Sequence, residues 1–268
     1  VPLAFGTQTA GSHIRPGSFC GICAFKPTWG QVDVTGIWPL EYTFDTLGYY
    51  ARSFDDIELY YSTLRRVPSL PLGPLAKPPR IGWFRTAERK FAEPASVAAV
   101  EAAARKLQSM GATVEEFELP SEYAHLDEVH PLILNVGLTR ALGSLYGNEK
   151  TRSQLSDPLR GMIEKGLATK PADFRAAMEH ADRCRRDINA AFGNYDLLLC
   201  PSAPGEAPAG THATGSPIFQ IVWTLLHLPC VNVPGAVGPN GLPVGVQLVG
   251  RQYDDTRVLQ AAKWLHGA

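Results

Sequence analysis

A chain of 268 residues that is 45% hydrophobic and 19% charged has the composition of a globular protein and is long enough to bury a full core. This composition excludes a disordered chain and a coiled coil. Its 25 Lys and Arg residues nearly balance its 26 Asp and Glu residues, and no basic tract could neutralise a line of phosphates, which excludes nucleic acid as the expected ligand.

The predicted elements alternate between strand and helix through much of the chain. Short apolar runs predict strands at Val1–Phe5, Arg80–Phe84, Thr113–Leu119, Asp196–Cys200, Cys230–Val233 and Val244–Val249. Helical periodicity predicts helices at Phe54–Leu64, Pro94–Met110, Glu122–Leu145, Asp157–Leu167, Pro171–Phe192, Pro217–Leu226 and Asp255–Leu265. The alternation predicts a single α/β domain, residues 1–268, with a mixed β-sheet covered by helices on both faces.

Charged residues are unevenly distributed along the chain. Only 5 lie in residues 1–50, and none lies in residues 207–250. Prolines at positions 217, 229, 234 and 243 interrupt the second stretch, so a membrane-spanning helix is excluded there and no membrane partner is expected. Strands covered on both faces are typical of such uncharged segments. We therefore expect residues 1–50 and 196–268 to form the sheet core and residues 51–195 to form a mostly helical surface part.

The cysteines indicate a reducing environment. Their number, 5, is odd, and the chain has neither an Asn-x-Ser/Thr acceptor nor a basic segment typical of a signal peptide at its start. Both observations favour a cytoplasmic protein. Cys20 and Cys23 form a lone C-x-x-C motif without a second pair, so we expect packing cysteines rather than a zinc site or a redox pair.

The segment Gly6–Pro16 combines small residues with a hydroxyl group. It follows a strand that we predict to be buried and precedes a turn that a proline initiates. Ala10 and Gly11 carry little side chain, so the backbone amides around them are able to face a ligand oxygen. Ser12 places a hydroxyl beside these amides, as acyl transfer requires if a base removes its proton. The spacing leaves open the alternative that Ser12 only caps the turn.

Histidines offer two other kinds of site. His13 follows Ser12 directly, and because neighbours on an extended segment point to opposite sides, it is a poor base for that serine. A second group holds candidate metal ligands at His125, Asp127, Glu128 and His130. This segment is predicted to be helical, and helix positions five apart do not share a face, so we expect a solvated helix face and no metal site.

Motifs at both ends of the chain occur together in one known family. The N-terminal motifs are Gly6-Thr7-Gln8-Thr9-Ala10-Gly11-Ser12, Ile14-Arg15-Pro16, Phe19-Cys20-Gly21, Phe25-Lys26-Pro27-Thr28, Phe44-Asp45-Thr46-Leu47-Gly48 and Ala51-Arg52-Ser53. The C-terminal ones are Asp196–Pro201, Ala207-Pro208, Pro229–Gly235 and Gly241–Gly250. The set resembles the amidase signature family, and it is more similar to malonamidase-like and general bacterial amidases than to fatty acid amide hydrolase.

The resemblance implies amide hydrolysis by a Ser-cisSer-Lys triad, without metal or organic cofactor. It makes Ser12 the nucleophile and assigns the oxyanion hole to amides around Thr9, Ala10 and Gly11, although Ala10 replaces a commoner glycine. Thr7, Arg15 and Asp45 match positions that support the site. Opposite charges in an apolar setting need each other or another partner, so we expect Arg15 and Asp45 to support the site without doing chemistry.

The family's catalytic lysine and cis serine would precede Val1, and Lys26 belongs to a separate motif. We therefore expect these 268 residues to be nearly inactive alone, because an unassisted hydroxyl keeps its high pKa. The missing strands would leave an open sheet edge, covered by a second copy or by a missing N-terminal portion. The alternatives are an amidase-derived binding module without catalysis, and an unrelated serine hydrolase that uses a histidine.

The resemblance does not identify the small-molecule amide substrate. Trp38, Tyr42 and Trp223 are aromatic residues that could line a substrate pocket, and core packing is the alternative for each of them.

Overall fold

Within residues 1–267, the part that the computed structural model describes (for residues 86–88 the backbone alone), eight strands form one sheet. They are β1 (Leu3–Gln8), β2 (Cys23–Lys26), β3 (Thr46–Ala51), β4 (Arg80–Phe84), β5 (Thr113–Phe117), β6 (Leu197–Pro201), β7 (Cys230–Val237) and β8 (Pro243–Gly250). The strand order is β1-β3-β2-β7-β8-β6-β4-β5. β4 runs parallel to β5 and β6, and the other neighbours are antiparallel, so the sheet is mixed.

Helices cover both faces of the sheet. They are α1 (Ile14–Cys20), α2 (Phe54–Arg65), α3 (Thr86–Phe91), α4 (Pro94–Ser109), α5 (Leu126–Gly147), α6 (Glu149–Arg152), α7 (Asp157–Ala168), α8 (Pro171–Ala191), α9 (Ile221–Leu225) and α10 (Asp255–Gly267). In β6, Leu197 and Leu199 pack in the cluster with α2, α4 and α10, whereas Leu198 and Cys200 pack with α5, α7, α8 and α9. Successive strand side chains face opposite sides, so a strand buried at every position needs both layers. The predicted fold class is confirmed.

The first strand differs from its prediction because of its place in the sheet. It was expected to be buried at Val1–Phe5, but β1 is the outermost strand, paired only with β3, and it extends to Gln8. Leu3 is 36% exposed and Phe5 is 49% exposed. An edge strand is covered by one neighbour only, so an apolar run by itself does not establish burial.

Several other elements were missed or have different bounds. β2 and β3 were not predicted as strands, and α1 replaces the expected turn, because a proline in the first turn of a helix is tolerated. The single helix expected over Glu122–Leu145 is a short 3₁₀ turn followed by α5, since His125 has a left-handed backbone with φ of 62°. Residues 208–214, expected in the interior, form an exposed loop.

β4 and β5 extend the sheet on the side opposite β1, although both belong to the charged middle of the chain. In the described part of the chain, no helix is both long enough and apolar enough to cross a membrane.

Candidate active site

Ser12 lies in the short loop that leads from β1 into α1. Its side chain is exposed, and within residues 1–267 its hydroxyl has no hydrogen-bond partner. No imidazole is bonded to it in that part of the chain, which is the contact that a histidine-dependent serine hydrolase would require. The loop therefore presents a solvent-facing hydroxyl at the edge of the molecule.

Three successive carbonyl groups of this loop are bonded toward the protein interior. His130 Nε2 donates to the Thr9 carbonyl at 2.9 Å, and Thr224 Oγ1 donates to the Ala10 carbonyl at 2.7 Å. The Gly11 carbonyl accepts from the Arg15 amide at 3.3 Å, in the first turn leading into α1. In a planar trans peptide, the N–H of the next residue points opposite to the carbonyl. The amides that follow these carbonyls consequently point away from the interior, as an oxyanion hole requires.

Those amides belong to Ala10, Gly11 and Ser12. Within the described chain, none of them donates a hydrogen bond to a protein oxygen. Consecutive backbone amides without partners that face outward offer donors for an anionic oxygen. These three carbonyl contacts do not determine the direction of the Thr9 amide, because that N–H belongs to the peptide between Gln8 and Thr9.

Gln8 anchors the base of the loop. Its side chain is completely buried, and its Oε1 accepts from the amides of His13 and Ile14 at 3.1 and 3.0 Å. Its Nε2 donates to Thr224 Oγ1 at 2.9 Å. One amide side chain thereby links the end of β1, the start of α1 and the Thr224 hydroxyl that bonds to the loop. The small-residue pattern drew attention to its neighbours and missed this residue.

Asp45 holds the loop from the other side. Its carboxylate accepts from Thr9 Oγ1 at 2.6 Å and from the amides of Leu40 and Glu41 at 2.7 and 3.1 Å. Three donors satisfy the charge, so the carboxylate needs no cation. Thr7, two residues before Thr9 on β1, contributes with Asp45 to the wall of a neighbouring cavity.

Arg15 has partners of its own and does not pair with Asp45. The mostly buried guanidinium donates to the Gly215 carbonyl at 3.0 Å and to Thr214 Oγ1 at 3.3 Å. Burial lowers the pKa of Arg15. The bonds fasten the loop that leads to Pro217, and Pro217 packs directly against Gly11. We expected Arg15 and Asp45 to pair with each other or with other groups, and in the structure each pairs with other groups.

His13 is buried on the side opposite Ser12. Its ring stacks on Tyr50 with centroids 3.8 Å apart, and its Nε2 bonds to the Tyr49 carbonyl at 3.0 Å. The ring fits because Gly6 of β1 and Gly48 of β3, which are paired on neighbouring strands, carry no side chain. A Cβ on either glycine would lie within 2.6 Å of the ring. His13 is therefore a packed core residue, a role that the sequence argument, which only made it a poor base for Ser12, did not predict.

The expectation of a solvated face at residues 125–130 was wrong for His130. His125 and Glu128 are exposed, whereas His130 is buried, stacks on Phe44 at 4.5 Å and bonds to the Thr9 carbonyl. It lies four residues from both Leu126 and Leu134, which are buried on the same side of α5. That spacing is the sequence signal by which it could have been found. In the described chain, no three His, Cys, Asp or Glu side chains are arranged to hold a metal ion.

Lys26 and the cysteines lie apart from Ser12. The Lys26 ammonium is fully buried and donates to the Pro27 carbonyl at 2.8 Å, and burial lowers its pKa. In the described chain, no disulfide joins any of the five cysteines. Cys23 is buried, as expected of a packing cysteine, but the expectation was wrong for Cys20, which is exposed at the end of α1. The other three cysteines are buried as well.

The aromatic residues expected near the site line different cavities. Trp38 and Tyr42 border the one shared with Thr7 and Asp45, which has a volume of about 220 Å³. Trp223 is 2% exposed and packs in the core, where it also borders a second cavity of about 270 Å³ on the other side of α9. Core packing is thus the outcome for Trp223 and not for the other two.

Three buried histidines are held in the neutral form. Burial lowers the pKa of His13 to about 3, of His130 to about 4 and of His227 to about 3. Each has a backbone carbonyl as hydrogen-bond partner, which a neutral ring satisfies with one N–H.

We expect acid to destabilise the protein well before its carboxylates are protonated. Below about pH 6.5 the unfolded chain binds protons at these histidines and the folded chain does not, so the free energy of unfolding falls as pH drops toward the folded pKa values. At pH 5 each ring contributes about 2 kcal/mol of this loss. Urea unfolding at about pH 7.5 and 5 measures it. His130→Gln should flatten the pH dependence and exposed His212→Gln should not, whereas equal midpoints at both pH values would contradict the prediction.

Comparisons with known proteins agree with this arrangement. The Amidase family profile matches residues 1–259. A glutamyl-tRNA(Gln) amidotransferase subunit from Symbiobacterium thermophilum is 30% identical over 98% of this chain and 62% of its own length. A crystal structure of an amidase superposes with a TM-score of 0.89 at 26% identity, over 99% of this chain and 62% of the other. A structure from a vestigial complex that bears on the origins of an s-triazine catabolic enzyme gives 0.86 at 26% identity, over 100% and 63%.

The mixed sheet between helical layers is the fold that this chain shares with the amidase structure. The chain belongs to the amidase family, whose profile covers nearly all of it. It spans about 62% of the length of the relatives that it matches.

Proposed function

We propose that this chain carries the nucleophile and the oxyanion hole of an amidohydrolase that cleaves a carbon–nitrogen amide bond of a small molecule. Ser12 is the nucleophile, and amides around Thr9, Ala10 and Gly11 bind the carbonyl oxygen of the substrate. The observation that carries the proposal is the inward bonding of three successive loop carbonyls. That pattern turns the following amides outward beside the Ser12 hydroxyl, and a structural cap would not require it.

The reaction follows from these groups in two steps. The Ser12 oxygen attacks the amide carbonyl carbon while a base takes its proton, and the oxygen that becomes negative is bound by the loop amides. The carbon–nitrogen bond then breaks, and the leaving nitrogen takes a proton and departs as ammonia or an amine. Water attacks the resulting ester of Ser12, which releases a carboxylate and restores the hydroxyl.

Thr7, Arg15 and Asp45 support the site without exchanging protons with substrate. Asp45 restrains Thr9, and Arg15 restrains the loop that packs on Gly11. Both therefore fix the position of the amide donors, on which stabilisation of the developing charge depends. Thr7 belongs to the same wall and faces the cavity next to the loop.

Among the described residues, none bonds to the Ser12 hydroxyl as a base would. Because the Ser12 hydroxyl has no partner in the described chain, we propose that residues 1–268 alone react slowly and that a proton acceptor has to reach Ser12 from outside them. An added base such as imidazole should then replace it, since the exposed hydroxyl is accessible.

The test is fluorophosphonate labelling with and without imidazole, followed by intact mass. We expect slow single labelling that imidazole accelerates at least about tenfold, and loss of labelling in Ser12→Ala. Ser216→Ala is the matched control, because Ser216 is another exposed serine, one residue from Pro217, and should label as the unchanged chain does. Labelling that persists in Ser12→Ala, or a folded chain that imidazole leaves unlabelled, would favour a binding module without catalysis.

The outer edge of β1 supports a second proposal, about partners. We infer that this edge is covered in the working protein, by a second copy or by further polypeptide, because an unpaired edge with exposed Leu3 and Phe5 favours association. The amidotransferase relative is by its name one subunit of an enzyme. The lack of disulfides among the described cysteines supports a cytoplasmic location for such an assembly.

The chain alone should therefore self-associate. We expect sedimentation velocity to show dimers or larger species, and Phe5→Lys to shift the distribution to monomer because a charge on an edge strand opposes pairing. Leu167→Lys is the control, since Leu167 is 61% exposed on α7 and away from β1. A compact monomer at high concentration would contradict the proposal.

A further inference from the structure

The cavity beside the nucleophile loop has one polar wall and one apolar wall. Thr7 and Asp45 form the polar side, and the segment of residues 34–42 forms the other, with Ile37, Trp38 and Tyr42 among its side chains. The wall adjoins the loop directly, because Asp45 also bonds to Thr9.

The charge on the polar wall is already occupied. The Asp45 carboxylate accepts from one hydroxyl and two amides, so it has little left to recognise a cationic or hydrogen-bonding group in the cavity. What remains to contact a ligand is mainly apolar and aromatic surface. The chemistry of the cavity thus favours a hydrocarbon group over a charged one.

The apolar wall is held in place before any ligand binds. The Leu40 and Glu41 amides are bonded to Asp45, and the Tyr42 carbonyl accepts from Trp29 Nε1 at 3.2 Å. Nevertheless Trp38 is 65% exposed and Tyr42 is 73% exposed. Large aromatic side chains that are fixed by their backbone and open to solvent are typical of a binding site rather than of a core.

We propose that this cavity binds an apolar group, aryl or branched alkyl, attached to the amide substrate. Its volume of about 220 Å³ fits a substituted ring, since an apolar cavity of about 150 Å³ accommodates benzene. The proposal rests on the proposed function for the position of the scissile bond, and it adds the class of substrate. The apolar group is attached either on the acyl side or on the amine side of that bond.

Binding is tested on the Ser12→Ala chain, so that no nucleophile is needed. Ligand-observed NMR compares phenylacetamide, with its ring on the acyl side, N-benzylacetamide, with its ring on the amine side, and acetamide, which has no ring. We expect at least one aryl amide to bind about tenfold or more tightly than acetamide, and the tighter one identifies the side that enters the cavity.

Trp38→Ala and Tyr42→Ala should each weaken the aryl amide about tenfold, because each removes an aromatic contact. Tyr253→Ala is the matched control, since Tyr253 is 71% exposed and does not border the cavity. Equal binding of all three amides, or unchanged binding in both cavity variants, would overturn the proposal. Aryl binding without any Ser12 labelling would support the proposed binding cavity and contradict the role of Ser12 as nucleophile. Ser12 labelling without aryl binding would support the nucleophile and contradict the binding cavity.

Discussion

Gly11→Ala should lower the rate of imidazole-assisted Ser12 labelling by about 100-fold, the usual effect of losing one oxyanion donor. A Cβ on Gly11 would lie 2.6 Å from Gln220 Oε1 and 2.8 and 3.1 Å from the Cβ and Cα of Pro217. Real carbon atoms do not approach so closely, so the nucleophile loop or the loop before α9 has to move. Since the amides of Gly11 and Ser12 lie at that point, the donor geometry is lost.

The neighbours of Gly11 have little room to yield. Gln220 is completely buried, and its Nε2 donates to the Ser202 carbonyl at 2.6 Å, while Pro217 belongs to the loop that Arg15 fastens. Gly143→Ala on α5 is the control, because a Cβ there would contact nothing within 4 Å. It should label at the unchanged rate. A Gly11→Ala chain that labels like this control would show that the loop amides do not bind the reagent's oxygen.

The sequence predicted six of the eight strands of the described sheet, including both edge strands, and missed two interior strands, β2 and β3. Arg80–Phe84 was predicted with its observed bounds, because an apolar run between turn residues is compatible with few alternatives. β2 has only four residues, and β3 includes Gly48, so neither has a periodicity that marks a strand. Their places in the sheet come from pairing with distant residues, which local sequence does not encode.

Part of the candidate site was also accessible from the sequence. The small residues at Ala10 and Gly11 and the hydroxyl of Ser12 indicated a donor loop, and the family resemblance assigned the nucleophile. The residues that orient that loop were not indicated, because His130 and Thr224 come from helices more than 100 positions away. Only the folded chain brings their donors to consecutive carbonyls.

The contact of α5 with α7 depends on Gly166, which lets the two helices touch. A Cβ on Gly166 would overlap the Asn135 carbonyl oxygen and Thr139 Oγ1 and would lie 2.6 Å from the Asn135 carbonyl carbon. Two of these atoms are backbone, and Thr139 Oγ1 is held by bonds to the carbonyls of Asn135 and Ile163 at 2.9 and 3.0 Å. The clash can be relieved only by separating the helices.

Gly166→Ala is therefore expected to lower the free energy of unfolding by about 3 kcal/mol, the upper part of the usual range for overpacking. Gly161→Ala, in the same helix, is the matched control, because its Cβ would contact nothing within 4 Å and alanine is favoured over glycine in a helix by about 1 kcal/mol. Urea unfolding should place the two variants on opposite sides of the unchanged chain. Equal midpoints would mean that α7 does not pack on α5 in solution. Because His130 lies on α5, such a result would also contradict its hydrogen bond to the Thr9 carbonyl.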